Sequence, residues 1–307
     1  MSTDNTPPTA LGVAPNGRRR PGRTAFVFAG GAALGSIQVG MLRALTGAGI
    51  EPDLITGASS GALNGAMLAA DPASALTRLE ALWTHARRRQ ILPVHPAKLA
   101  GALAGRTAHV SSSDGIRRAI ERHLPLRRIE AASVPLHIVS ADTATRGKVV
   151  LSHGDVVRAL LASTAIPGIY PAVEIDGRLL VDGGLAEDPP LGTAVELGAT
   201  TVYLFPVGWP LGPAPRDGAL VRAMDALDWL FWSVAKAHLE RWAPECDLYV
   251  LPSPPITGLH PLSARSARRL MDDAERMTRE WLPRARRWPD ARADSPSRRA
   301  AGTDAAR

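Results

Sequence analysis

One serine of this chain stands in a pattern that is typical of enzyme nucleophiles. Residues 57–61 read Gly-Ala-Ser-Ser-Gly, so that Ser59 lies two residues from both Gly57 and Gly61. If this segment forms the tight turn from a strand into a helix, the serine hydroxyl projects over the first backbone amides of that helix. Those amides and the helix dipole favour negative charge. The pattern predicts a nucleophile at Ser59, and the alternative is a small-residue turn without a catalytic role.

A second segment of small residues precedes it. Residues 30–35 read Gly-Gly-Ala-Ala-Leu-Gly and lie between an apolar stretch and a helical pattern. Small side chains leave backbone N–H groups open to an oxyanion or a phosphate. A dinucleotide site is disfavoured because the glycine spacing differs and the next strand does not end in an acidic residue. A P-loop is excluded because no Gly-Lys-Ser/Thr triplet occurs. We interpret the segment as an oxyanion loop, with a plain tight turn as the alternative.

An aspartate follows an apolar stretch later in the chain. Asp182 comes directly after Leu-Leu-Val at 179–181, and Gly183 and Gly184 follow it. Side chains at the carboxyl ends of strands reach a site on that edge of an α/β sheet. Asp182 is therefore a candidate partner for Ser59, although aspartate is also common in turns that have no catalytic role.

The order of these three motifs resembles that of the patatin-like phospholipase family, over a stretch from Ala25 to about Leu251. Residues 163–167 and 195–199 also look like the family. The resemblance implies a lipid acyl hydrolase with a Ser–Asp dyad, in which Ser59 forms the acyl-enzyme and Asp182 is the base. It implies no metal and no cofactor. The implied oxyanion hole consists of backbone amides of Gly30, Gly31, Ala32 and Ser60. The motif glycines are Gly35, Gly57, Gly61, Gly183 and Gly184.

Two departures from the family's pattern fall within these motifs. The family's loop often has a third glycine and a basic residue, where this chain has Ala32 and Leu34. An alanine resists positive φ, and the missing cation leaves backbone amides and the helix end to stabilise an oxyanion. Paired asparagines often follow the family's aspartate, where this chain has Glu187 and Asp188. We expect that change to affect the edge of the site or the choice of substrate.

Two other functions are compatible with the same residues. A Ser–His–Asp triad of the α/β-hydrolase type needs a histidine after the aspartate, and His238 and His260 are the candidates. His260 lies in a loop and is the better placed, because His238 lies within a helical pattern. The fold could also serve as a catalytically inactive interaction protein, although the intact serine and aspartate argue against it.

The elements that must position these motifs alternate between strands and helices. We predict strands at 24–29, 53–56, 136–139, 148–151, 201–206 and 248–251, and a hairpin at 173–181. This alternation predicts a three-layer α/β/α sandwich around a mostly parallel central sheet. The first strand follows three arginines, and we prefer a core strand to an export signal there. We expect a disordered tail at 1–22, a catalytic domain at 23–283 and a disordered basic tail at 284–307.

Two further segments are candidates for lipid contact. Residues 219–242 have apolar side chains and tryptophans at helical spacing, which favours a core helix over an interfacial or acyl-binding helix. Residues 86–110 contain three consecutive arginines and form either a solvated basic helix end or a cap over the site.

The composition restricts the partners and the location. The net charge is +7, but no basic run with interleaved aromatics follows the nucleic-acid pattern, and we expect no nucleic-acid partner. Cys246 is the only cysteine, which excludes an intrachain disulfide and fits a reducing compartment. No apolar run reaches the length of a membrane span. We expect a cytoplasmic protein that acts on a lipid or ester, with peripheral membrane contact as a further option.

Overall fold

The computed structural model describes residues 22–85, 101, 106–208, 219–256 and 264–288, which form an α/β fold around an eight-stranded sheet. The predicted tail at 1–22 lies outside the described residues apart from Gly22, as does the other predicted tail beyond residue 288. Trp288, within that second tail, donates its amide to the Leu248 carbonyl at 2.8 Å.

The described elements alternate along the chain as the periodicity predicts. The strands are β1 (Thr24–Phe28), β2 (Leu54–Ala58), β3 (Leu136–Asp142), β4 (Lys148–Leu151), β5 (Val173–Ile175), β6 (Arg178–Asp182), β7 (Thr201–Phe205) and β8 (Asp247–Val250). The α-helices are α1 (Ser36–Gly47), α2 (Ser60–Ala70), α3 (Ala75–His85), α4 (Asp114–His123), α5 (Val156–Ser163), α6 (Leu191–Glu196), α7 (Ala219–Trp242) and α8 (Ala264–Trp281). Each predicted strand is confirmed, with small differences at the ends.

The sheet is parallel at its centre and antiparallel on one side. The path of paired strands is β5–β6–β3–β2–β1–β7–β8, in which β6 and β2 share one edge of β3 and β4 pairs with the opposite edge. The pairs β1–β2, β1–β7, β2–β3 and β7–β8 are parallel. The pairs β3–β4, β3–β6 and β5–β6 are antiparallel. The predicted α/β class with a mostly parallel sheet is confirmed.

The central strand β1 is buried on both faces. Phe26 and Phe28 join an apolar cluster with α1, α2, α3 and α8, whereas Ala25 and Val27 join a second cluster with α6 and α7. Successive side chains of a strand point to opposite faces, so the sheet lies between two helical layers. This confirms the predicted three layers and the preference for a core strand at residues 24–29.

The two candidate lipid-contacting segments are described only in part. Helix α7 confirms the predicted helix at 219–242, in which Ala235 and Leu239 are buried and Trp229 and Val234 are exposed. The predicted cap at 86–110 lies largely outside the described residues. Among the helices that are described, none is both long and apolar enough to cross a bilayer.

Candidate active site

Ser59 lies at the turn where β2 ends and α2 begins. Its backbone has φ 53° and ψ −127°, a conformation that residues with a side chain rarely adopt. Both glycines of the motif permit the close packing around this turn. A Cβ at Gly61 would lie 2.4 Å from the carbonyl oxygens of Phe28 and Ala29, and one at Gly57 would lie 2.7 Å from the backbone of α2. The predicted strand–turn–helix geometry is present.

The Ser59 hydroxyl donates a hydrogen bond of 2.7 Å to Asp182 Oδ2 across 123 residues of sequence. The pairing of β3 explains this proximity. Ala58 at the end of β2 pairs with Val139, and Asp182 at the end of β6 pairs with the next residue, Ser140. Because β4 occupies the opposite edge of β3, β2 and β6 lie end to end along one edge. The two strand ends therefore meet where the serine and the aspartate leave the sheet.

Asp182 is buried, and a hydrogen bond orients its carboxylate. It is 7% exposed, and its Oδ1 accepts a hydrogen bond of 2.9 Å from the Gly184 amide. Gly183 allows this turn, because a Cβ there would lie 2.0 Å from the Val139 carbonyl oxygen. Burial raises the pKa of Asp182 from 3.8 to about 6, and the hydrogen bonds from Ser59 and Gly184 oppose that rise. The carboxylate is therefore a stronger base than an aspartate in water.

The glycine-rich loop lies beside Ser59. Gly31 packs against Val207, whose side chain would lie 2.4 Å from a Cβ at that position, and Ala32 adopts φ 47°. The alanine thus takes the left-handed conformation that its side chain resists. The Gly30 amide donates a hydrogen bond of 2.8 Å to Asp188 Oδ1, so this one of the four amides predicted for the oxyanion hole already has an acceptor.

The other three predicted amides are those of Gly31, Ala32 and Ser60. Within the described part of the chain, none of them donates to a protein acceptor outside its own helix. Ala32 and Ser60 begin a 3-10 helix and α2, respectively, and the first amides of a helix have no acceptor within it. These donors can stabilise negative charge next to the Ser59 hydroxyl.

Several buried polar residues support the site and were not identified from the sequence. The Ser59 amide donates to Ser163 Oγ at 2.9 Å, and Ser163 Oγ donates to the Val139 carbonyl at 2.6 Å. The signal for Ser163 was its place in a family-like stretch, without an assigned role. Its hydroxyl fixes the turn that carries Ser59.

A second set of hydrogen bonds holds both ends of the glycine-rich loop. Gln38 donates to the Ala29 carbonyl at 2.8 Å, at the entrance of the loop, and Asn64 donates to the Gly35 carbonyl at 2.9 Å, at its exit. Asn64 also donates to Gln38 at 2.7 Å and accepts from the Trp83 indole at 2.8 Å. Polar residues in the otherwise apolar helices α1 and α2 were the available signal.

Within the described part of the chain, no histidine donates a hydrogen bond to Asp182. Its carboxylate accepts hydrogen bonds from Ser59 and Gly184 there. His238 lies in α7 with a buried Nδ1 that has no partner among the described residues, and His260 lies outside them. The residues described also contain no group of three or more His, Cys, Asp or Glu side chains arranged to hold a metal ion.

Comparison with known proteins identifies relatives of this chain. A family model described as patatin-like phospholipase matches residues 26–195. Patatin-like phospholipase domain-containing protein 7 of Mus musculus is 31% identical over 226 residues, which are 72% of this chain and 15% of that protein. Lysophospholipase NTE1 of Mycosarcoma maydis is 27% identical over 269 residues, which are 84% of this chain and 13% of that protein. The chain therefore spans about one seventh of the length of these relatives.

Two other comparisons are with a bacterial relative and a solved structure. An uncharacterized NTE family protein of Mycobacterium bovis is 30% identical over 214 residues, which are 68% of this chain and 55% of that protein. The crystal structure of VipD from Legionella pneumophila superimposes with a TM-score of 0.47 and 13% identity, covering 86% of this chain and 67% of that chain.

Proposed function

Because the chain belongs to the patatin-like phospholipase family, we propose that it is a serine hydrolase that cleaves carboxylic esters of lipids with a Ser59–Asp182 dyad. The hydrogen bond of 2.7 Å between Ser59 Oγ and Asp182 Oδ2 is the observation that supports this best. It joins a strained serine to a buried carboxylate, beside the glycine-rich loop. A nucleophile, its base and an oxyanion hole are the groups that acyl transfer requires.

Acylation begins with the Ser59 hydroxyl. Its oxygen forms a bond to the ester carbonyl carbon, its proton passes to Asp182 Oδ2, and the carbonyl electron pair moves to the oxygen. When the tetrahedral intermediate collapses, the bond to the alcohol oxygen breaks and Asp182 returns the proton to that oxygen. Water then attacks the acyl-enzyme and gives its proton to Asp182. The bond to Ser59 Oγ breaks, and Ser59 regains its proton as the fatty acid leaves.

The environment of the dyad suits each of these steps. A base with a pKa near 6 accepts a proton from an alcohol more readily than an aspartate in water does. Its deprotonated form still dominates at neutral pH. In this proposal the amides of Gly31, Ala32 and Ser60 stabilise the developing charge, and each such donor lowers the barrier by about 3 kcal/mol.

The proposed substrate class is supported by the family and by the names of the relatives. The names of the relatives include phospholipases and a lysophospholipase, and the proposal for this chain is hydrolysis of a phospholipid or lysophospholipid acyl ester. A lipid head group stays outside the acyl-transfer chemistry, so short-chain esters are suitable first substrates.

The test combines covalent labelling with turnover. A fluorophosphonate probe should label the protein at Ser59, and the purified chain should hydrolyse p-nitrophenyl esters and phospholipid vesicles. Ser59→Ala should abolish labelling and turnover, and Asp182→Asn should lower kcat at least 100-fold. Ser140→Ala is a matched control, because Ser140 is buried opposite Asp182 and its hydroxyl has no partner among the described residues.

The outcomes separate the proposal from the other functions. A folded wild-type chain that neither reacts with the probe nor hydrolyses any of these esters would contradict the proposal and favour the inactive interaction protein. Full activity of folded Ser59→Ala would refute the assignment of the nucleophile.

A further inference from the structure

Asp188 faces the candidate active site next to the nucleophile. Its Oδ1 accepts the hydrogen bond of 2.8 Å from the Gly30 amide. The point at which a Gly30 Cβ would sit is 3.2 Å from Asp188 Oδ2 and 3.4 Å from Ser59 Cβ. The second carboxyl oxygen of Asp188 therefore borders the same space over the loop as the side chain of Ser59.

The hydrogen bonds distinguish the two carboxyl groups of the site. Both oxygens of Asp182 accept, from Ser59 at 2.7 Å and from Gly184 at 2.9 Å, which favours its ionised form. Asp188 accepts at Oδ1 only, and no donor in the described part of the chain reaches its Oδ2. Two close carboxylates repel each other, so the site favours one proton. That proton belongs on Asp188 Oδ2, the oxygen without a donor.

The surrounding charges do not stabilise an ionised Asp188. The residues of the loop at 30–35 carry no charge. Glu187 adds negative charge nearby and uses its own carboxylate to contact Thr193 and Lys148. Lys148 pairs with Glu187 and Glu196, and among the described residues no cation forms a salt bridge with Asp188. Asp188 is half-buried, and the loss of solvent around its carboxyl, together with Asp182 and Glu187, raises its pKa to about 7, whereas the hydrogen bond from Gly30 opposes that rise.

We propose that protonated Asp188 is a catalytic residue that donates a hydrogen bond from Oδ2 to the oxyanion formed from the substrate carbonyl. This role rests on the proposed function. It supplies a donor to a loop that has Leu34 where a cation is common in the family. It also replaces the Gly30 amide, which already donates to Asp188. A carboxylic acid kept neutral by its surroundings can donate to an oxyanion in this way.

The role predicts a narrow pH optimum. Turnover requires Asp182 to be ionised and Asp188 to be protonated. Activity should rise as pH increases through about 6, where Asp182 loses its proton, and fall above about 7, where Asp188 loses its own. In the alkaline form, a negative charge replaces the donor beside the developing oxyanion.

The experiment is the dependence of kcat and kcat/KM on pH from 5 to 9, measured with a p-nitrophenyl ester at a pH-independent wavelength. Asp188→Asn keeps an oxygen to accept from Gly30 and places an N–H₂ donor where the acid proton was. It should retain activity near pH 6.5 and keep it to pH 9. Asp188→Ala should lower kcat at its optimum by about 100-fold, with little change in KM.

Asp142→Asn is the matched control, because Asp142 is a buried aspartate on β3 whose carboxylate accepts from the Ala144 and Thr145 amides. This variant should keep the wild-type profile. An alkaline limb in Asp188→Asn that matches the wild type would overturn the role of Asp188, as would a wild type without such a limb. If Asp188→Ala does not fold, the isosteric asparagine variant still decides. Failure of the dyad would appear separately, as full activity in Asp182→Asn.

Discussion

Replacement of Asp182 by asparagine should inactivate the protein and also stabilise it in a pH-dependent way. The folded state raises the pKa of this buried carboxyl from 3.8 to about 6. The folded chain therefore binds the proton more tightly than the unfolded chain does. The charged form is destabilising, and this cost appears as pH rises through 3.8 and is complete above about 6.

The size of the effect follows from the same pKa. A rise from 3.8 to about 6 corresponds to about 3 kcal/mol of destabilisation at pH 8. Asparagine has a similar shape, keeps an acceptor for Gly184 and does not titrate. Any constant cost of the substitution is the same at every pH. The free energy of unfolding of Asp182→Asn, relative to wild type, should therefore increase by about 2–3 kcal/mol between pH 4 and pH 8.

The assay is urea unfolding of both proteins at several pH values, followed by circular dichroism. Ser59→Ala is the control, because it is expected to be equally inactive but keeps the buried carboxyl and removes a hydrogen bond that stabilises the charged form. It should lose stability with rising pH at least as steeply as wild type. A stability difference between Asp182→Asn and wild type that does not change with pH would refute the reasoning about burial.

Three further predictions concern the turn at Ser59, the glycine-rich loop and the alternative triad. Gly61→Ala should destabilise the fold by about 2–3 kcal/mol or prevent folding, because its Cβ would lie 2.4 Å from carbonyl oxygens at the end of β1. Thermal unfolding measures this loss of stability, and an unchanged midpoint would contradict the prediction. Asn64→Leu should lower the free energy of unfolding by about 2–3 kcal/mol and lower kcat, because it leaves the Trp83 N–H without its acceptor and the Gly35 carbonyl without its donor. Unchanged kinetics would show that other contacts hold the loop. His260→Ala should keep ester hydrolysis within about threefold of wild type, whereas a triad would lose 10³-fold or more; parallel kinetics with Asp182→Asn decide between them.

Much of the fold could be predicted because its signals are local. Apolar runs broken by glycines indicate the strands, and the helical spacing of apolar residues indicates α1 and α7. The alternation on β1 is less informative, because a strand buried on both faces reads as a continuous apolar run. The antiparallel placement of β6 beside β3 depends on long-range pairing, and the residues at 178–182 do not encode which strand they will join.

The candidate site was predictable to a similar extent. The types and order of Gly57, Ser59, Gly61 and Asp182 indicate a nucleophile and a base, since each needs a particular local backbone. The supporting hydrogen bonds of Ser163 could not be read in the same way, because a buried serine has no spacing rule that names its partner.

The sequence by itself determined the strand–turn–helix at Ser59 and the order of the motifs, since sterics within a few residues are sufficient for both. The tertiary structure alone decided that the ends of β2 and β6 meet along one edge of β3, which brings the serine hydroxyl within hydrogen-bond distance of Asp182. It also decided that Asp188 accepts a hydrogen bond from the amide of Gly30, 158 residues away. These contacts depend on how the sheet assembles, because hydrogen-bond partners far apart in the chain are chosen by packing and not by local residue preference.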